Sequence, residues 1–151
     1  MAIRQKTTIK VRLKGQGHSH SHCDVMVRDL TSTIDEPVER GGTNLGFSPT
    51  ETAYAALVGC TNTIGHKCAD KLGVDIGTLS FDMVVDFDRR GVMLIEEIDI
   101  PFTAIRLSVT AAGSASDADL QRVAEETAKY CAVSKMFVAA GTEVEVNWAK
   151  G

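Results

Sequence analysis

A chain of 151 residues, 44% apolar and 24% charged, is long enough for one domain with a sizeable core. Its net charge of -4 and the lack of a basic stripe argue against nucleic-acid binding, and no apolar run approaches the ~20 residues that cross a bilayer. The first residues, MAIRQKTTIKVRLKG, alternate apolar and polar side chains without the apolar stretch of an export signal, so a cytoplasmic location is expected.

Alternation from Thr7 to Lys14 predicts a strand, ended by Gly15-Gln16-Gly17. His22 to Ile34 resumes an extended pattern, so the two segments are expected to pair as a hairpin. Asp35 to Phe47 is rich in glycine and charge and reads as loop. A long helix should begin near Ser48, with Ser48 as N-cap, Pro49 at the first helical position and Glu51 completing a capping box. It runs on through ETAYAALVGCTNTIGHKCADKL to a C-cap at Gly73.

Thr78 to Phe87 reads as a strand, Asp88 to Gly91 as a turn or loop, and Ile98 to Ala111 as holding another strand with Pro101 near its start or at an edge. Ser116 and Asp117 open a second helix to Tyr130, whose apolar stripe is Leu120, Val123, Ala124 and Ala128. Cys131 to Ala140 predicts a short third helix, and Thr142 to Trp148 alternates strictly as a closing strand. The expected order is β-β-α-β-β-α-(α)-β, an α+β fold.

Four cysteines are present, Cys23, Cys60, Cys68 and Cys131, and no two form a CxxC pair. Neither a disulfide scaffold nor a zinc ribbon nor a thioredoxin-type motif fits. Cys60 lies mid-helix with Ala56, Leu57 and Ile64 on its face, and periodicity alone reads it as a packing cysteine. Cys131 has the better intrinsic claim to reactivity, because a helix N-terminus favours the thiolate. Cys68 follows Cys60 by about 12 Å along the helix, beyond disulfide reach, and reads as core. His66 shares neither cysteine's face and is expected to be exposed or interfacial.

The stretch GGTNLGFSPTETAYAALVGCTNT resembles the OsmC/Ohr family, in which a glycine-rich loop and a proline precede a long helix carrying the first redox cysteine. The interval from Pro49 to Cys60 matches, and CAVSK at Cys131 resembles the family's second cysteine motif, usually Cys-Pro-x-Ser. The resemblance covers nearly the whole chain and implies one OsmC-like domain over residues 1–151, folded as an intertwined homodimer with sites at the interface.

It also implies a thiol peroxidase acting on organic hydroperoxides and, to a lesser degree, hydrogen peroxide. Cys60 would become a sulfenic acid, Cys131 would close a disulfide on it, and an external dithiol or lipoyl-type reductant would reopen it. No metal or organic cofactor is implied. The family's activating arginine maps to Arg40 in ERGGTN, with Arg106 as a weaker alternative. Arg40 also reads as a solvated loop charge.

Two positions depart from the pattern. Thr50 stands where hydroperoxidase members carry the arginine-orienting glutamate, and Ala132 stands where proline follows the second cysteine. Glu51, one residue later, is the candidate for the glutamate role, but on a continuous helix it lies about 180° from Cys60. Its local role is the capping box.

The run HSHSHC at residues 18–23 places His18, His20 and His22 on one face of an extended strand and Cys23 on the other. Three imidazoles so arranged suit zinc, nickel or copper, while a solvated hairpin tip is the plainer reading. Beside the peroxidase, two further readings therefore stand: a redox-inactive small-molecule binding protein, and metal binding through this hairpin.

Overall fold

The computed structural model describes residues 6–151. The chain forms two compact units, Met1–Tyr54 and Ala55–Gly151.

In the first unit, β1 (Lys14–Gly17), β2 (Cys23–Val27) and β3 (Leu30–Ile34) form an antiparallel sheet in that order. The strand expected over Thr7 to Lys14 is corrected: residues 7–13 lie outside any strand, and Gly15, Gln16 and Gly17 are themselves strand, opposite Val25, Asp24 and Cys23. Alternation marks a two-faced segment, whereas a ladder needs a neighbour, and β2 supplies one only from Lys14 onward. The extended stretch from His22 to Ile34 divides into β2 and β3 at a two-residue turn, with Arg28 in the left-handed region at φ 54°.

After β3 a loop winds around Asp35, which is fully buried. Its carboxylate accepts from the amides of Glu36 (2.8 Å), Thr43 (3.0 Å) and Leu45 (3.2 Å) and from the Thr43 hydroxyl. A 3-10 turn, Val38–Arg40, lies within this loop.

Helix α1 spans Pro49–Leu72. The expected capping box is present: the Ser48 amide donates to Glu51 Oε2 at 2.8 Å and the Glu51 amide to Ser48 Oγ at 3.4 Å. At the other end Gly73 takes φ 68°, its amide bonding Asp70 O and the Val74 amide bonding Ala69 O, a Schellman closure.

The second unit has the sheet order β4-β5-β6, with β4 (Leu79–Phe87) antiparallel and β6 (Glu143–Lys150) parallel to the central β5 (Phe102–Ala111). A parallel pair requires a crossover, and α2 (Asp117–Tyr130) and α3 (Ala132–Ala139) provide it. Pro101 sits just before β5, where its missing amide costs no ladder bond. On β5, Ile105, Leu107, Val109 and Ala111 are buried while the residues between them are exposed.

The core gathers Cys68, Ala69, Ile76, Ala111, Ala115, Leu120 and Val123, so Cys68 is a packing residue as expected. The buried stripe of α2 is Leu120, Val123 and Thr127 rather than one reaching Ala128, which is exposed. Thr127 tolerates burial because its hydroxyl donates to Val123 O at 2.7 Å. Among the described residues, no helix is long and apolar enough to cross a membrane.

Candidate functional site

The buried side of α1 is Leu57, Thr61, Gly65, Cys68 and Ala69, spaced by four, four and three residues with one adjacent pair. Cys60 flanks this side and is half-buried, and Ile64, one turn on, packs against the core. Ala56, expected beside them, is exposed.

Cys131 is the joint between two helices. Its amide closes α2 on Thr127 O at 2.9 Å, and its carbonyl accepts the amide of Lys135 at 3.0 Å to open α3. Its φ and ψ, -69° and 103°, are those of an N-cap, and its Sγ accepts the Ser134 amide at 3.5 Å. A cysteine thus fills a place that Ser, Thr or Asp would normally take.

The two thiols meet. Cys60 is a hydrogen-bonding neighbour of Cys131, and both are free. Burial pushes the Cys131 thiol above its ordinary range, and the bond to Cys60 pushes in the same direction. The amides of Ser134 and Val133, at the start of α3, pull the other way and lose. The expectation that the helix N-terminus would favour the Cys131 thiolate is therefore corrected: desolvation of a residue only 1% exposed outweighs the helix end. The pair is one half-buried cysteine beside one buried cysteine whose thiol is held toward its protonated form.

Arg40 ends the 3-10 turn and is ion-paired with Glu36, four residues earlier, at 2.9 Å. Its charge also acts on Glu51 and Tyr54 in the same unit. Glu51 is held below the usual carboxylate range chiefly by the Ser48 amide and hydroxyl, with Arg40 a lesser influence, so its capping role dominates. Arg106 bonds Asp86 across the β4–β5 ladder at 2.8 Å and is half exposed. It alternates with buried Ile105 and Leu107, so it points to the opposite face of β5.

The three histidines do not share one strand face. Residues 18–21 form the hairpin turn, which brings His18 and His22 to Asp24 while His20 faces Gly41. Asp24 was the residue sequence reasoning missed, although its place two positions after His22 on a strand was the available signal. His66 is half-buried, its ring nitrogens 2.9 Å from Asn62 O and 3.1 Å from Gly77 O, which ties α1 to the segment before β4.

Comparison with known proteins agrees with this architecture. An OsmC-like protein from Mycoplasma pneumoniae superposes with a TM-score of 0.78 at 14% identity, covering 94% of this chain and 97% of the other. The organic hydroperoxide resistance protein OsmC from Legionella pneumophila, a predicted redox protein, gives 0.68 at 14% identity over 95% and 99%. The organic hydroperoxide resistance protein OhrB of Bacillus subtilis gives 0.65 at 14% identity over 93% and 98%. At these identities the likeness is one of fold. No curated protein matches the sequence. The family profile described as OsmC-like protein matches residues 42–147, a span that includes α1, β4, β5, the first part of β6, Cys60 and Cys131, and the chain therefore belongs to the OsmC-like family.

Proposed function

We propose that the protein is a thiol-dependent peroxidase that reduces organic hydroperoxides, and hydrogen peroxide less well, with Cys60 as the attacking thiol and Cys131 as the resolving one. The observation that carries this reading is the pairing of a half-buried Cys60 with a buried Cys131. In this reading the less buried Cys60 is the thiol that peroxide reaches. The buried one stays protonated until a partner oxidises beside it.

In the first step the Cys60 thiolate attacks the peroxide oxygen, the O–O bond breaks, and the alcohol leaves after taking up a proton. Cys60 is then a sulfenic acid. In the second step the Cys131 sulfur attacks Cys60 sulfur, a disulfide forms and water is lost. An external dithiol or lipoyl-type compound returns both thiols and becomes oxidised itself. The thiolate needs a positive charge, and Arg40 is the residue to which the family resemblance assigns that role, while Glu51 remains the helix cap. Neither metal nor organic cofactor takes part.

A homodimer belongs to the same proposal. Each unit exposes apolar side chains without cover: Ile9, Val11 and Leu13 alternate along an unpaired stretch, and Val92, Met93, Leu94 and Ile95 stand in the loop after β4. Such surfaces mark association sites.

The test is steady-state turnover of cumene hydroperoxide with dihydrolipoamide as reductant. Cys60→Ser should abolish turnover, Cys131→Ser should allow one peroxide per chain and then stall, and Arg40→Ala should lower kcat/KM by at least about 100-fold. Consumption of peroxide by Cys60→Ser at the parent rate would overturn the reading. Thiols inert to stoichiometric peroxide would favour a redox-inactive binding protein instead.

A further inference from the structure

The β1–β2 hairpin turns through His18-Ser19-His20-Ser21-His22, and its tip is closed by the amides of His18 and Ser19, which both donate to His22 O at 2.9 and 3.2 Å. That closure sets the His18 and His22 rings side by side, with centroids 4.7 Å apart. Asp24, on β2, reaches both. His18 Nε2 is 3.0 Å from Asp24 Oδ2, and His22 Nε2 is 3.7 Å from Asp24 Oδ1. One donor atom from each of the three residues lies within 4.8 Å of the others.

We infer that His18, His22 and Asp24 form a binding site for one divalent first-row transition metal ion. In a tetrahedral zinc site with bonds of about 2.0–2.1 Å, ligand atoms stand about 3.3 Å apart; His18 Nε2 and Asp24 Oδ2, at 3.0 Å, stand near that spacing, and one donor atom from each of the three residues lies within 4.8 Å of the others. Two imidazoles and a carboxylate suit borderline ions such as zinc, nickel or copper, whereas calcium and magnesium require more oxygen donors. Three protein ligands leave a fourth position for water.

The carboxylate is also held in place from behind. Thr33, opposite Asp24 in the β2–β3 register, donates its hydroxyl to Oδ1 at 2.7 Å. An orienting partner of this kind is what a metal-ligating carboxylate characteristically has. All three side chains retain solvent exposure, between 22% and 43%, so an ion enters without any opening of the fold. His20, the middle histidine, takes no part. The site is independent of the thiol chemistry, and either can fail without the other.

The experiment is calorimetric titration of the full chain with Zn2+, repeated with Co2+ followed by visible absorption. Saturable binding of one ion per chain is expected. His22→Ala and Asp24→Asn should each weaken it at least about tenfold, Thr33→Val about tenfold, and His20→Ala less than twofold. The Co2+ complex should show d–d bands without a thiolate charge-transfer band, a readout that does not depend on how well any variant folds. Absence of saturable binding, equal affinity in His22→Ala and Asp24→Asn, or a thiolate band placing the ion on cysteine would each overturn the assignment.

Discussion

Trp148 on β6 lies directly over Gly65 on α1: a Cβ built at Gly65 would meet Trp148 Cη2 at 2.7 Å and Cζ2 at 3.3 Å. The helix is glycine there because the indole occupies the space that a methyl group would need. Alanine at this position gains about 1 kcal/mol in helix propensity but overpacks the contact at a cost of about 1–3 kcal/mol. Gly65→Ala should therefore destabilise the reduced protein by up to about 2 kcal/mol in urea unfolding. The same change made on a Trp148→Leu background should be neutral or stabilising, because the clash is gone while the propensity gain remains. Equal losses on both backgrounds would refute the contact as the cause.

Asp35 gives the first unit a pH-dependent fastening. Its folded pKa is strongly depressed, with the Thr43 hydroxyl the largest cause and the Leu45 and Thr43 amides adding to it. A depressed carboxylate contributes stability that is complete above its unfolded pKa of about 3.9 and is lost as pH falls from there through the folded value. Asp35→Asn should lower Tm by at least about 5 °C at pH 7. The gap between parent and variant should narrow steadily as pH drops below about 3.9. A gap of constant size across that range would show that charge is not what holds the loop.

The parts of this structure that were legible in the sequence are those decided locally. The Ser48–Glu51 capping box, the Gly73 closure, the Ser116 start of α2 and the alternation of β6 each depend on residues within a few positions of one another. The misreadings involve partners. Ile9, Val11 and Leu13 alternate like a strand, yet the ladder begins at Lys14, and nothing local to Gly15 announces that it will pair with Val25. Arg28 takes a left-handed conformation with no glycine to advertise it. The thiol pair is a tertiary fact: periodicity made Cys60 a packing residue, and only the family resemblance set it beside Cys131. The resemblance did not reveal which sulfur would be buried, because that depends on how α1 packs against the α2–α3 joint.

Burial also sets the order in which the thiols react. Cys60 is half-buried and flanks the covered side of α1, whereas Cys131 is 1% exposed and held protonated by its surroundings. With limiting iodoacetamide at neutral pH, peptide mass spectrometry should find Cys60 alkylated at least about tenfold faster than Cys131. Cys68, 4% exposed within the core, should be protected until unfolding. Faster labelling of Cys131 would exchange the roles proposed for the two sulfurs.

Oxidation should leave a mark on stability as well as on chemistry. Joining Cys60 on α1 to Cys131 at the α2–α3 joint closes a long loop that includes β4, β5 and α2, and such a cross-link restricts the unfolded chain. One equivalent of cumene hydroperoxide should remove two of the four thiols titrated under denaturing conditions. The oxidised protein should then be about 2–4 kcal/mol more stable to urea than the reduced one, less whatever the buried Ser134–Cys131 cap loses on bonding. Cys131→Ser keeps a good capping side chain but cannot close the bridge. It should lose one thiol to a trappable sulfenic acid and show no oxidative gain in stability. A stability gain that survives in Cys131→Ser would mean that the bridge forms elsewhere, and four titratable thiols after peroxide would mean that none forms at all.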